Sequence, residues 1–227
     1  MTAARPQAVV VGATGNLGTA VVAELTDRGY ALDPTWMGAD HPDVCAPDAF
    51  TGLPGRIDVA VYLAGVNVVG DAETLDYADW QRVLDVNLNG AFRFAQAAFP
   101  AMRRAGRSAL VVISSIMVTH PYPQRVAYTA AKAALEGMAR ALGVEWGRHG
   151  ISVNAIRLGH LAGLMRSTRT NPRLLEEVRR HTPLDCLIDP AEVARFIGWL
   201  ADMRGRGMSG SVVDFDPAYT INRWPVD

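Results

Sequence analysis

Apolar residues follow two rhythms along this chain. Residues 8–11 (AVVV), 57–63 (IDVAVYL, polar only at Asp58) and 109–113 (ALVVI) are short continuous runs, and 152–156 (SVNAI) is a more mixed one. Runs of this kind mark strands buried on both faces of a parallel sheet. Between them the spacing is helical: over 19–28, over 77–104 with Trp80, Val83, Leu84, Leu88, Phe92 and Phe99 on one stripe, and from before Tyr128 to about Trp146, where Gly147 and Gly150 end it. Asn87 falls beside the apolar stripe, where a carboxamide needs partners. Asp189 before Pro190 caps a further helix over 190–203, and 211–215 is a last strand. Residues 30–36 are the expected second strand, with Pro34 near its end. The roughly two dozen residues after it hold Pro42, Pro47 and Pro54, leaving room for a short strand at Asp43 and Val44, a small helix near 46–50, and little else. Strand and helix alternate throughout. That predicts an α/β chain with a doubly wound Rossmann fold, a mainly parallel central sheet and a single domain over 1–227.

Composition narrows the partners. With 22 basic and 23 acidic residues there is no overall field to draw nucleic acid or a membrane surface, so a small molecule is the expected partner. Cys45 and Cys186 lack metal-ligand spacing and are too few for a disulfide framework; inert thiols and no metal site are expected. No run approaches the ~18 apolar residues of a spanning helix, and the first residues lack the pattern of a signal peptide, so a cytoplasmic location is expected.

Three stretches carry candidate chemistry. Gly12, Ala13, Thr14, Gly15, Asn16, Leu17 and Gly18 lie between the first strand and first helix, where a glycine turn lets a pyrophosphate approach the helix N-terminus. Ser114 and Ser115 stand at the carboxyl end of a strand, the edge on which open α/β sheets bind ligands. Tyr128 and Lys132, four apart on an alanine-rich helix, point into the same pocket.

In this order the glycine loop, Asp43 with Val44, Ala64 with Gly65, Val86 with Asn87, Ser115, Tyr128 with Lys132, Val153 to Ala155 and the stretch 190–216 resemble the short-chain dehydrogenase/reductase family over nearly the whole chain. The resemblance implies an NAD(P)-dependent oxidoreductase that interconverts a secondary alcohol and a ketone by hydride transfer. It places a catalytic tetrad on Asn87, Ser115, Tyr128 and Lys132, with Tyr128 as general acid/base, Ser115 orienting the substrate oxygen and Asn87 holding a proton-carrying water. It places the dinucleotide against Gly12, Thr14, Gly15, Asn16, Leu17, Gly18, Asp43, Val44, Ala64, Gly65, Gly159 and Leu161, besides Tyr128 and Lys132. A homodimer or homotetramer is implied by helices that pair between subunits. One ammonium ~4 Å from a phenol at an effective dielectric of ~20 is worth ~4 kcal/mol, enough to lower a pKa of ~10 by about three units, so Lys132 is expected to depress Tyr128.

Several positions depart from the family pattern. Asn16 replaces a middle glycine, Leu63 an asparagine, Leu158 a proline and Gly163 a threonine. Where a reader of the adenosine ribose is expected stands Trp36, whose ring either stacks on adenine or belongs to the core. Asp33 is the candidate for the 2'-hydroxyl, with Asp40 further on. No Lys or Arg occurs from 29 to 55, which favours NAD over NADP. The substrate pocket is expected from 117–124, 160–170 and the residues after Ala64. Arg166, Arg169, Arg173, Arg179 and Arg180 read as a solvated helix, or as a receiver for an anionic substrate. The alternative function is a catalytically silent dinucleotide-binding regulatory or structural protein of the same fold.

Overall fold

Six parallel strands form one sheet in the computed structural model, which describes residues 5–38, 40–163 and 172–224. The order is β2-β1-β3-β4-β5-β6, with β1 at Gln7–Val11, β2 at Ala31–Leu32, β3 at Val59–Tyr62, β4 at Ser108–Ser115, β5 at Ile151–Leu158 and β6 at Val212–Phe215. The strand read from 152–156 is thus the fifth. Successive residues face opposite sides: Val9 and Val11 join one core, Ala8 and Val10 the other. Helix α1 (Asn16–Asp27) and a later helix, Pro190–Asp202, cover one side through Leu17, Val21, Leu25, Val193 and Ile197. The other is covered by α3 (Gly90–Ala105) and α4 (Val126–Gly147), through Phe94, Ala98, Met102, Leu135, Ala139 and Leu142. Because all strands run the same way, their carboxyl ends share one rim, and β1 is the switch point between the two directions of winding.

The segment after α1 differs from the sequence expectation. In place of a strand over 30–36, β2 stops after two residues. Pro34 has no N–H to continue the ladder, and the Asp33 carboxylate accepts from Thr35 N–H (3.0 Å), starting a 3₁₀ turn over Pro34–Trp36. Trp36 is carried into the core, 1% exposed, with its ring stacked on Phe50 at 5.3 Å between centroids. Asp43 and Val44 form no strand and 46–50 no helix; both lie in turns. Arg93 of α3 binds this stretch instead, donating to the carbonyls of Val44 (2.6 Å), Cys45 (3.2 Å) and Ala46 (3.1 Å).

The helix expected over 77–104 is continuous but changes pitch. It starts as α2 (Tyr77–Leu84), passes through a π-helical turn at Asp85–Asn89 and goes on as α3. The Tyr62 hydroxyl donates to the Val86 carbonyl at 2.6 Å, and Gly90 N–H reaches back to Asp85 O. An inserted hydroxyl thus sets the wide turn. Position 90 has to be glycine, since a Cβ would come within 2.4 Å of that hydroxyl. After β5 come α5 (Pro172–Arg180) and α6 (Pro190–Asp202), the latter opened by a capping box between Asp189 and Glu192.

Candidate active site

Beside β1 the rim holds a cleft of about 800 Å³, lined by Gly12, Thr14, Gly15, Leu63, Ala64, Gly65 and Val66 on one side, by Trp36, His41, Asp43, Val44 and Cys45 on another, and by residues of α2 and the π turn. Its glycines are demanded by close approach. Gly12 has φ +86°, and a Cβ there would meet Ala64 N at 2.8 Å; one on Gly18 would meet Gly12 O at 2.2 Å. Gly15 caps α1 with no side-chain hydrogen bond, so the first-turn N–H groups are left for a ligand. This cradle fits the diphosphate of a dinucleotide. Leu17 packs into the core and contributes backbone only.

Asp33 is not in this wall. Ala8 pairs with Leu32, so Asp33 lies level with Val9, two residues short of the end of β1; it is buried and its carboxylate is turned to Thr35. The early end of β2 is the cause. Trp36 reaches the cleft only as a core residue. Arg93, which sequence reasoning missed, holds the wall formed by Val44 and Cys45. Hydrogen bonds from a charged donor contribute ~1.5–3 kcal/mol, so Arg93→Met is expected to weaken dinucleotide binding by about 10-fold or more, read by fluorescence titration with NADH.

Across the rim the candidate catalytic residues come together. Ser115 ends β4; its Oγ accepts from Met117 N–H (3.2 Å) and its hydroxyl faces the Tyr128 phenol. Tyr128 and Lys132 lie one turn apart on α4. The Lys132 ammonium is 5.5 Å from the Tyr128 ring centroid and donates to Ile113 O (2.8 Å). Asn87, fully buried in the π turn, donates to Val66 O (2.7 Å) and Val83 O (2.9 Å), so its N–H groups fix the loop after β3. Among the described residues its Oδ1 has no partner, and it would lie 2.9 Å from a Cβ on Gly65.

The electrostatics reverse one expectation. Burial pushes the Tyr128 phenol above its ordinary value, opposed only by the Ser115 hydroxyl. Burial also lowers Lys132 to about 8, and among the described residues no carboxylate pairs with it. The protein alone therefore keeps Tyr128 neutral, and the lysine is itself destabilised rather than depressing its neighbour.

On the far side of β5, Gly159 abuts Asp216 and Leu161 is buried and bridged to Ile188. Neither lines the 800 Å³ cleft. At Gly163 the threonine of the family pattern is missing, but Asn16 Nδ2 lies 3.1 Å from where a Cβ would be and donates to Ala162 O at 2.8 Å. The Asn16 departure thus joins the glycine loop to the segment after β5. Of the expected substrate wall, Tyr122 and His160 meet at 2.7 Å and are joined by Tyr219 (2.9 Å) from the C-terminal segment, a contact no local pattern announced. Arg166 and Arg169 lie outside the described residues; Arg173, Arg179 and Arg180 are exposed on α5. Among the described residues no group of three acidic, His or Cys side chains could hold a metal ion, and no helix is long and apolar enough to cross a membrane.

Comparison with known proteins decides the family. The family model described as enoyl-(acyl carrier protein) reductase matches residues 46–220. D-threitol dehydrogenase of Mycolicibacterium smegmatis is 34% identical over 86% of this chain and 74% of its own. The chain belongs to the short-chain dehydrogenase/reductase family. Galactitol 2-dehydrogenase of Rhizobium johnstonii is 32% identical over 86% of this chain and 79% of its own. A solved oxidoreductase of the same family from Burkholderia thailandensis superposes with a TM-score of 0.84 at 25% identity, covering 97% of this chain and 95% of that one. As a short-chain dehydrogenase/reductase the protein is an oxidoreductase of the alcohol/ketone type that uses a nicotinamide dinucleotide, and its single sheet is the Rossmann fold of that family.

Proposed function

We propose that Tyr128, Ser115 and Lys132 carry the reaction, the interconversion of a small secondary alcohol and its ketone. The observation behind this is the convergence of the three at the end of β4, with Lys132 buried against the Tyr128 ring and Ser115 beside the phenol. A nicotinamide dinucleotide, bound, supplies the hydride acceptor or donor. The Ser115 hydroxyl, which faces the phenol, turns its proton to the substrate oxygen when one is bound. Tyr128, kept neutral by burial, gives its proton to that oxygen as a ketone is reduced and takes it back as an alcohol is oxidised. Lys132 holds positive charge beside the phenol, and Ile113 O fixes its ammonium. Asn87 anchors the loop after β3, and its unpartnered Oδ1 is the acceptor left for a water or a cofactor hydroxyl. Gly159 and Leu161 shape the rim through their backbone.

The polyols named for the two curated relatives favour a hydroxylated substrate. NAD is the favoured dinucleotide. The wall after β2 offers Asp43 and no Lys or Arg, and the lining arginine, Arg82, comes from α2. A 2'-phosphate beside a carboxylate is repelled, so NADH is expected to bind about tenfold or more tighter than NADPH in separate fluorescence titrations; equal affinities would assign NADP as well. Exposed Phe92 and Val144 on α3 and α4 fit a homodimer or homotetramer packed through these helices. We place the protein in the cytoplasm, as its expected small-molecule chemistry suggests. The test of the whole reading is NAD-dependent turnover across secondary alcohols, polyols included.

A further inference from the structure

The catalytic stripe of α4 does not stop at Lys132. One turn further on is Glu136, a carboxylate only 2% exposed, placed i, i+4 and i+8 with Tyr128 and Lys132. Its neighbours come from the rim of the sheet. Ser114 Oγ of β4 donates to its Oε1 at 2.7 Å. Arg157 of β5 grips it as a fork, Nε to Oε1 at 2.9 Å and Nη2 to Oε2 at 2.8 Å. The same guanidinium passes on through Nη1 to Asp214 of β6 at 2.7 Å. Arg140, on the next turn of α4, approaches Oε2 more loosely at 3.7 Å and is exposed. One buried acid is thus joined to three adjacent strands at the level where those strands end.

The strand contacts bear directly on the catalytic groups. Ser114 precedes Ser115 in the chain, and its Oγ lies 3.4 Å from the Lys132 carbonyl oxygen. Ile113, one residue earlier, accepts the Lys132 ammonium. Three consecutive residues of β4 are therefore engaged with three consecutive turns of α4: Ile113 with Lys132, Ser114 with Glu136, Ser115 with Tyr128. Burying an ion pair here adds little by way of stability, because desolvation offsets the attraction, whereas a bidentate fork fixes geometry in a way that apolar packing does not.

We propose that Glu136, held by Arg157 and Ser114, is a positioning residue that sets the distance between the Tyr128 phenol and the Ser115 hydroxyl. It touches neither substrate nor cofactor. It fixes the register of helix against strand, and a displacement of ~1 Å between reacting groups costs ~10²-fold in rate. The inference rests on the assignment of Ser115, Tyr128 and Lys132 made above.

The test replaces the pair by apolar residues of similar volume, Glu136→Leu with Arg157→Met, so that no buried charge is left alone. This double variant is expected to fold with a Tm close to that of the parent and to bind NADH with unchanged affinity. Its kcat should fall by about 10- to 100-fold, the range a small misplacement predicts. A folded double variant with the parent kcat overturns the proposal. Should the double variant fail to fold, Glu136→Gln, which keeps the shape and loses the charged fork, carries the same readout: kcat down at constant NADH affinity supports positioning, and an unchanged kcat overturns it. Tyr128→Phe serves as the control for the underlying assignment. If it retains turnover, the catalytic reading itself has failed; if it is inactive while the Glu136 variants are fully active, only the positioning role has.

Discussion

Tyr128→Phe is expected to lower kcat by about 10³-fold or more, near the upper range for a positioned general acid/base, while NADH affinity stays within about twofold. The substitution removes one oxygen from a phenol set between Ser115 and the Lys132 side chain, so little packing changes. Stopped-flow or steady-state rates, set beside fluorescence titration of the same preparation, separate the two effects. Turnover within about tenfold of the parent would remove Tyr128 from the mechanism. The pH dependence follows from the raised phenol pKa. A group that holds its proton suits ketone reduction at neutral pH, while alcohol oxidation needs the phenolate and should accelerate as pH rises. In the phenylalanine variant the residual oxidation should lose that slope.

The second large effect has opposite signs on activity and stability. Lys132→Met is expected to abolish turnover and at the same time to raise the Tm of the protein without dinucleotide. Burial lowers this lysine from 10.5 to about 8. At ~1.4 kcal/mol per pKa unit the folded protein carries a penalty of about 3 kcal/mol below pH 8, from which the lost hydrogen bond to Ile113 takes back about 1. A net gain of ~2 kcal/mol corresponds to roughly 4–8 °C in a chain of this size. The linkage has a definite direction. Between pH 8 and 10.5 the unfolded chain holds a proton on this lysine that the folded protein has released, so the parent should gain stability relative to Lys132→Met as pH rises through that window. The variant should lack that gain. A Tm for Lys132→Met at or below the parent value at pH 7, or a difference between parent and variant that stays constant from pH 8 to 10.5, would contradict the account. Such trade-offs are expected where a charge is buried for chemistry and not for folding.

The parts of this architecture visible in sequence are those set by neighbours in the chain. The β-branched runs at 8–11 and 109–113 had one reading, and the spacing of Gly12, Gly15 and Gly18 encodes a turn that any strand and helix so joined must make. The four-residue step from Tyr128 to Lys132 likewise fixes a shared face. What escaped reading depends on partners far away. Whether residues 33–36 extend β2 is decided by Pro34 and by the Asp33 carboxylate taking Thr35 N–H, a choice that strand propensity alone does not predict. Trp36 is apolar under either account of its role, and only its stacking on Phe50 selects the core. Arg93 lies 49 residues from Val44, and Glu136 lies 21 from Arg157; neither spacing is a local signal. The Tyr128 pKa is hidden from the sequence for a related reason. The four-residue spacing shows the lysine, whereas the burial of both groups, the larger effect in the folded protein, comes from residues distant in the chain.

The brevity of β2 also bears on how the molecule meets other chains. A parallel sheet left open at its side presents a row of free amide and carbonyl groups on which a foreign strand can nucleate cross-β growth. Here that row is two residues long and is followed, after Asp33, by a proline that cannot donate, so a passing extended segment finds almost no ladder to extend. The truncation that moved Asp33 away from the cleft thus also protects this side of the sheet against edge-to-edge aggregation.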